Sequence, residues 1–271
     1  MKRSLNGAEL AGYIKERQAK QVRNLRQEYT IAPKLAIVAV EPTEPSQVYM
    51  RLKQTYGDDI LIDVGILDVS LDTVRSCIQS LNERSDVHGI IIQLPLPVTD
   101  AESNEIIALI EPTKDVDGLR SDEYFTPATA LAIDWLVAGY NIDLRHKSIA
   151  LVGNGKLVGA PLAKLWQRAG YQLEVIDEHT TDATKRIQQA DVIVTATGVP
   201  GLISSAVVRP NAVVIDAGTA SERGKLVGDV AEDVRQRNDV LMTPERGGVG
   251  PLTVAALFDN VIKSARQAST K

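Results

Sequence analysis

The feature that most constrains this chain is a rhythm. Short apolar, β-branched runs alternate with helical stretches, break off once, and start again. Lys34–Val40 (KLAIVAV) shows no polar alternation, the pattern of a strand buried on both faces. A helical stretch from about Ser46 to Tyr56 follows, then a strand-like Ile60–Leu67, a helical Leu71–Asn82, a strand-like Gly89–Leu94 and a helical Glu102–Ile110. This order predicts an α/β fold, with a parallel sheet covered by helices on both faces. The segment Glu111–Phe125, with Pro112, Gly118 and many charges, breaks the rhythm and is read as a domain boundary, followed by a helix from about Ala128 to Tyr140. The rhythm then restarts with strand Ser148–Val152, helix Leu157–Ala169 and strand Gln172–Ile176. Three more strand candidates follow: Asp191–Thr195, Ala212–Asp216 and Val240–Met242. That block has the outline of a Rossmann nucleotide-binding half. A last helix begins near Pro251, a residue suited to a first helical position.

Composition removes several classes of function. With 44% hydrophobic and 24% charged residues over 271 positions, a packed core is expected. A net charge of −5 with no basic stripe excludes nucleic acid as a partner. No run approaches the ~18 apolar residues of a membrane span, so no membrane partner is expected. The N-terminus is an amphipathic helix candidate with recurring charges and no signal-type apolar region. One cysteine, Cys77, precludes an intrachain disulfide framework and reads as packing. It suits a reducing compartment, and a cytoplasmic protein is expected.

The chemistry-bearing segments lie at the ends of the strands. Gly153-Asn154-Gly155-Lys156-Leu157-Val158-Gly159 joins a strand to a helix, where glycines let backbone approach a pyrophosphate at the helix N-terminus. Its spacing is GxGxxxG, and the same turn could be glycine-rich for tightness alone. Asp177-Glu178 ends the next strand about two dozen residues on, near the spacing of a ribose-binding acid. Two carboxylates there repel a 2′-phosphate, which favours NAD over NADP; the alternative is a solvated acidic turn. Tyr49 and Lys53 stand i, i+4 on one helix face, where a desolvated lysine could exchange protons near neutral pH, or simply decorate a surface. Gln93 ends an apolar strand before Pro95 and Pro97, placed either for a ligand or as a strand cap. Asp117, in Lys114-Asp115-Val116-Asp117-Gly118, offers a carboxylate to a planar heterocycle or to solvent. Gly247-Gly248-Val249-Gly250-Pro251 presents bare backbone N–H groups before the last helix, and a ligand is favoured over a plain sharp turn. His88, His146 and His179 have no metal spacing and the Asp115/Asp117 pair fails the EF-hand pattern, so no metal is expected.

Taken together the segments resemble the methylenetetrahydrofolate dehydrogenase/cyclohydrolase family. The matching pieces are Ser46-Gln47-Val48-Tyr49 with Lys53, Gly89 through Pro97, Lys114 through Gly118, Val227-Gly228-Asp229-Val230, and Gly247 through Pro251 with Thr253. The resemblance implies a catalytic α/β domain over 1–125, completed by a returning helix at 251–271, and a Rossmann domain over 126–250. It implies Lys53 as general acid/base set by Tyr49 and Gln93, Asp117 on the pterin ring, and Leu96, Pro97 and Gly248, Val249, Gly250 and Pro251 around the folate. The cofactor residues it implies are Gly153, Asn154, Gly155, Lys156, Leu157, Val158, Asp177, Glu178, Thr197 and Gly218. The activity implied is hydride transfer from 5,10-methylenetetrahydrofolate to NAD (NADP being the other candidate), then hydrolysis to 10-formyltetrahydrofolate, in a homodimer whose substrates are tetrahydrofolate one-carbon derivatives. Several positions depart from the family: Gly153-Asn154-Gly155 for Gly-Arg-Ser, acids at Asp177-Glu178 for groups that hold a 2′-phosphate, Pro127-Ala128-Thr129-Ala130 for Pro-Cys-Thr-Pro, Glu245-Arg246 before the glycine pair, and Glu41 through Pro45 after the first strand. The loss of the phosphate-holding groups supports NAD or else argues against dinucleotide binding; the alternatives to the bifunctional enzyme are a dehydrogenase alone and a non-catalytic folate- or dinucleotide-binding paralogue.

Overall fold

The computed structural model describes residues 4–122, 124–222 and 225–268. It divides into two compact units, one formed by Gly12–Ala128 with the stretch from Val254 onward, the other by the stretch up to Ala11 with Thr129–Thr253. Helix α1 (Gly7–Glu28) contributes to both.

In the first unit three strands form a parallel sheet in the order β2-β1-β3, from β1 (Lys34–Val40), β2 (Asp63–Val69) and β3 (Gly89–Ile92). The centre falls to β1 because six of its seven side chains are apolar and buried, so it cannot face water on either side. Helices α2 (Glu44–Asp59), α3 (Leu71–Glu83) and α4 (Asp100–Ile107) connect the strands and lead away from the third. The second strand starts three residues later than the apolar run suggests. Ile60 and Ile62 are buried as the end of α2, where the Ile62 N–H bonds back to the Gly57 carbonyl at 2.8 Å and Leu61 takes a positive φ. β3 likewise stops at Ile92, although the Gln93 N–H still bonds the Val38 carbonyl at 2.9 Å. Cys77 packs against this core as an ordinary apolar side chain.

In the second unit α5 (Ala128–Gly139) precedes β4 (Ile149–Val152), α6 (Gly159–Arg168), β5 (Leu173–Ile176), α7 (Ala183–Gln189), β6 (Val192–Thr195) and β7 (Val213–Asp216). A hairpin of β8 (Ala220–Glu222) and β9 (Lys225–Val227), a single turn α8 (Glu232–Arg235) and the short β10 (Leu241–Met242) complete it. The five strands run parallel in the order β10-β7-β6-β4-β5. The chain goes outward from β4 to β5, then returns to the other side of β4 for β6. That reversal creates a crevice at the carboxyl ends of β4 and β6, where such sheets bind ligands. Trp166 of α6 is fully buried and its indole N–H donates to Asp134 Oδ1 at 3.0 Å.

Helix α9 (Val249–Ala268) starts two residues before the expected position, so Pro251 lies within its first turn rather than at its head. A proline costs nothing there, since first-turn N–H groups have no intrahelical partner. From Val254 onward α9 belongs to the first unit: Phe258 is fully buried and stacks on Tyr56 with ring centroids 5.0 Å apart.

Candidate active site

In the first unit, α2 opens with Thr43, whose hydroxyl accepts the Ser46 N–H, and with Pro45 in its first turn. From that start Tyr49 and Lys53 fall on one face. The Lys53 ammonium donates to Gln93 Oε1 at 3.1 Å. The Gln93 amide cannot turn freely, because its Nε2 donates to the Leu94 carbonyl at 2.9 Å and so keeps Oε1 toward the lysine. Burial lowers the Lys53 pKa, and the Asp117 carboxylate opposes the fall. Burial raises the Asp117 pKa, and the Lys53 ammonium opposes the rise. Each group restrains the other's tendency to go neutral, but burial is the larger effect and leaves the lysine easier to deprotonate than a free one. Tyr49 remains 40% exposed and makes no hydrogen bond to Lys53 or Gln93 among the described residues. Leu96 is packed into the core while Pro97 is exposed.

The turn that carries Asp117 is held from three sides. The buried Asp115 carboxylate accepts the N–H of Gly118 at 3.2 Å and of Arg120 at 2.9 Å. Gly118 has φ +70°, and a Cβ there would sit 2.7 Å from the Phe125 carbonyl oxygen. Asn260 of α9 donates to the carbonyls of Val116 at 2.9 Å and Thr126 at 3.1 Å. The Lys114 ammonium bonds the carbonyls of Leu81, Asn82 and Arg84 and so caps α3.

In the second unit, the glycine turn leaves β4 at Gly153, which has φ +101° and a backbone N–H bonded to Ile176 O at 2.8 Å. A Cβ on Gly153 would lie 2.6 Å from the Ala196 carbonyl oxygen and 3.1 Å from Thr197 Cγ2, so the turn runs directly along the end of β6. A Cβ on Gly159 would lie 2.0 Å from the Gly153 carbonyl oxygen, which makes this glycine obligatory for α6 to start under the turn. Gly155 faces open space, and Asn154, Gly155, Lys156 and Leu157 are exposed while Val158 is partly so. Open backbone at a switch point and a helix N-terminus fits a dinucleotide pyrophosphate. Asp177 follows β5, with Oδ1 accepting from the His179 N–H at 3.0 Å and the Thr180 hydroxyl at 2.9 Å. These bonds, that of Thr180 first, hold its pKa below the ordinary carboxylate value, so it stays ionised. The Glu178 side chain is exposed beside His179.

Thr197 and Gly218 are tied together by two aspartates that sequence reasoning did not single out. Asp229 is fully buried, and its Oδ2 accepts the Thr195 hydroxyl (2.7 Å), the Thr197 N–H (2.7 Å) and the Thr197 hydroxyl (2.9 Å). Asp216, at the end of β7, accepts the N–H groups of Gly218, Asp229 and Val230 and pairs with Arg235 at 2.6 Å. A Cβ on Gly218 would lie 2.0 Å from Asp229 Oδ1. The only advance signal was the Val227-Gly228-Asp229-Val230 match. The Gly247–Pro251 segment belongs to the second unit up to Thr253. There Gly247 has φ +81°, and its carbonyl accepts the Ala8 N–H at 3.0 Å; Gly248 and Val249 are buried, Gly250 exposed and Pro251 partly buried.

A lysine–amide–carboxylate cluster and a glycine turn at the switch point of a parallel sheet, in one chain, define the class: a two-unit α/β enzyme that uses a dinucleotide. The chain belongs to the tetrahydrofolate dehydrogenase/cyclohydrolase family, whose catalytic-domain model matches residues 5–117 and whose NAD(P)-binding-domain model matches residues 127–269. It is 37% identical to the Bifunctional protein FolD of Hydrogenobaculum sp. over 97% of this chain and 98% of that one. The solved bifunctional FolD methylenetetrahydrofolate dehydrogenase/cyclohydrolase of Campylobacter jejuni has a TM-score of 0.90 at 32% identity, covering 97% of this chain and 98% of that one. The Trypanosoma brucei dehydrogenase-cyclohydrolase, solved with NADP and an inhibitor, has a TM-score of 0.90 at 27% identity, covering 98% and 99%.

Proposed function

We propose that this enzyme oxidises 5,10-methylenetetrahydrofolate to the 5,10-methenyl form with NAD, and then hydrolyses that product to 10-formyltetrahydrofolate. The observation that carries the reading is the Lys53–Gln93 bond at 3.1 Å with Asp117 acting on the same lysine. The first unit, with α9, takes the folate; the second takes the dinucleotide. Gly153 through Val158 would hold the dinucleotide pyrophosphate, and the bound cofactor would supply the acceptor for the hydride of the folate methylene bridge.

Lys53 is the general acid/base. Its lowered pKa lets it take a proton from the water that attacks the bridging carbon and return it as the ring opens. Gln93 keeps the ammonium aimed, and Tyr49 stands one turn away on the same face. Asp117 accepts donors from the planar pterin, which compensates the cost of its burial. Leu96 and Pro97 border the folate in the first unit. Gly153 through Val158 and the β6 and β7 ends line the dinucleotide crevice. Asp177, held ionised beside the exposed Glu178, discriminates against a 2′-phosphate, so NAD is preferred over NADP. By family resemblance the protein works as a cytoplasmic homodimer supplying one-carbon units, purine biosynthesis among the uses.

Turnover of 5,10-methylenetetrahydrofolate with NAD and with NADP in parallel tests the proposal. NAD-dominant formation of a methenyl product that decays faster than the buffer blank is expected. Dominant NADP would remove the specificity reading, and no turnover with either would remove the activity.

A further inference from the structure

Asp229 presents an unusual balance. Its side chain is fully buried, Oδ2 takes three donors, and Oδ1 has no hydrogen-bond partner among the described residues. A buried carboxylate with one oxygen left unsatisfied is costly and does not persist by chance in a packed interior. Two of its donors come from Thr197 and the third from Thr195, so every bond the carboxylate accepts fixes the end of β6. Its unpartnered oxygen lies where a Cβ of Gly218 would go, so its bulk also sets the end of β7. The Thr197 hydroxyl gives its one proton to Asp229 and accepts the Val199 N–H at 3.1 Å, and the Thr197 N–H also goes to Asp229. Thr197 therefore has no donor left for a ligand and can meet one only as an acceptor, through the remaining lone pair of the hydroxyl, or by its methyl group. In a doubly wound sheet the acid after the second strand marks the adenosine side of the crevice. The β6 and β7 ends, across the switch point from β5, then form the nicotinamide side.

We propose that Asp229 is a positioning residue for the nicotinamide half of the dinucleotide, acting through Thr197 and Gly218 without touching the ligand. The proposal rests on the dinucleotide site described above. Hydrolysis of the methenyl folate uses Lys53 in the other unit and consumes no dinucleotide, so it serves as an internal control. Dissociation constants for NAD and NADP, and the rate of 5,10-methenyltetrahydrofolate hydrolysis, are measured on the full chain and on Asp229→Asn. Asp229→Asn keeps the shape and one oxygen for the three donors but removes the charge that strengthens those bonds, and is expected to weaken dinucleotide binding about tenfold. Hydrolysis should stay within about twofold of wild type. Equal dinucleotide affinity in variant and wild type overturns the proposal, as does a parallel loss of binding, hydrolysis and thermal stability, which marks a purely structural role. If the wild type itself binds neither dinucleotide, the site reading has failed, a different result. Thr197→Val and Thr197→Ser form a second pair should Asp229→Asn fail to fold. Ser keeps the bond to Asp229 and should bind NAD as wild type does, Val should lose about tenfold, and equal affinities of the two overturn the proposal.

Discussion

Asp115 couples the turn that carries Asp117 to pH. Its carboxylate is 3% exposed, and burial pushes its pKa from 3.8 up to about 6, against the opposing pull of the Arg120 N–H and with the Asp117 charge adding to the rise. A raised folded-state pKa means that the folded protein binds this proton more tightly than the unfolded chain. The stabilisation is whole below about pH 3.8 and is lost as pH climbs through about 6. The gap of roughly two units corresponds to about 3 kcal/mol. Asp115→Asn cannot titrate. It keeps one acceptor for the Gly118 or Arg120 N–H and turns an amide toward the other, an offset that does not vary with pH. Urea unfolding of both proteins is measured at half-unit steps from about pH 4 to pH 8. Amide exchange of β1 and β3 is the appropriate probe, because both tryptophans, Trp135 and Trp166, lie in the other unit. The stability of wild type minus that of the variant should fall by about 3 kcal/mol between about pH 4 and 7 and then level off. A difference that stays flat within about 0.5 kcal/mol, or that rises with pH, refutes the argument.

Three further outcomes follow from the site. Lys53→Met should abolish methenyltetrahydrofolate hydrolysis while NAD still binds; unchanged hydrolysis removes the role given to that lysine. Asp177→Ser combined with Glu178→Arg should raise the NADP-to-NAD ratio of kcat/KM, since it exchanges two repelling charges for a hydroxyl and a cation; an unmoved ratio means that the acids do not meet the ribose. Gly159→Ala drives a methyl group into the Gly153 carbonyl, so it should destabilise by about 1–3 kcal/mol and weaken dinucleotide binding, with calorimetry and titration reading the two effects.

Much of this was legible in the sequence where one local pattern decided the outcome. Lys34–Val40 is a buried central strand over the range its apolar run marks. Where two patterns competed, the run alone misled: Ile60 and Ile62 look like a strand start but serve as the apolar end of α2, because the chain must first turn through Leu61. The β8–β9 hairpin and α7 are short and polar, and no periodicity announces them. The Lys53–Gln93 pairing joins positions 40 apart, and spacing gave the residues without their contact. Asp216 and Asp229 escaped for the same reason in stronger form. Asp216 is a lone acid in an apolar stretch, Asp229 is one of three acids between 229 and 233, and the bonds from Thr195 and Thr197 to Asp229 span 34 and 32 positions.

The bonds from Asn260 have a consequence in time. The Val116 carbonyl, next to Asp117, is held by a side chain 144 positions further along the chain, and Ser264 holds the neighbouring Thr113 carbonyl at 2.8 Å across 151. Ribosomes add about 5–20 residues per second, so roughly 7–30 s pass between the synthesis of the aspartate turn and that of its clamp. Through that interval the sheet β2-β1-β3 can assemble, but the loop that presents the acid lacks its anchor. A nascent chain is thus a scaffold before it is a catalyst, and its competence waits for α9.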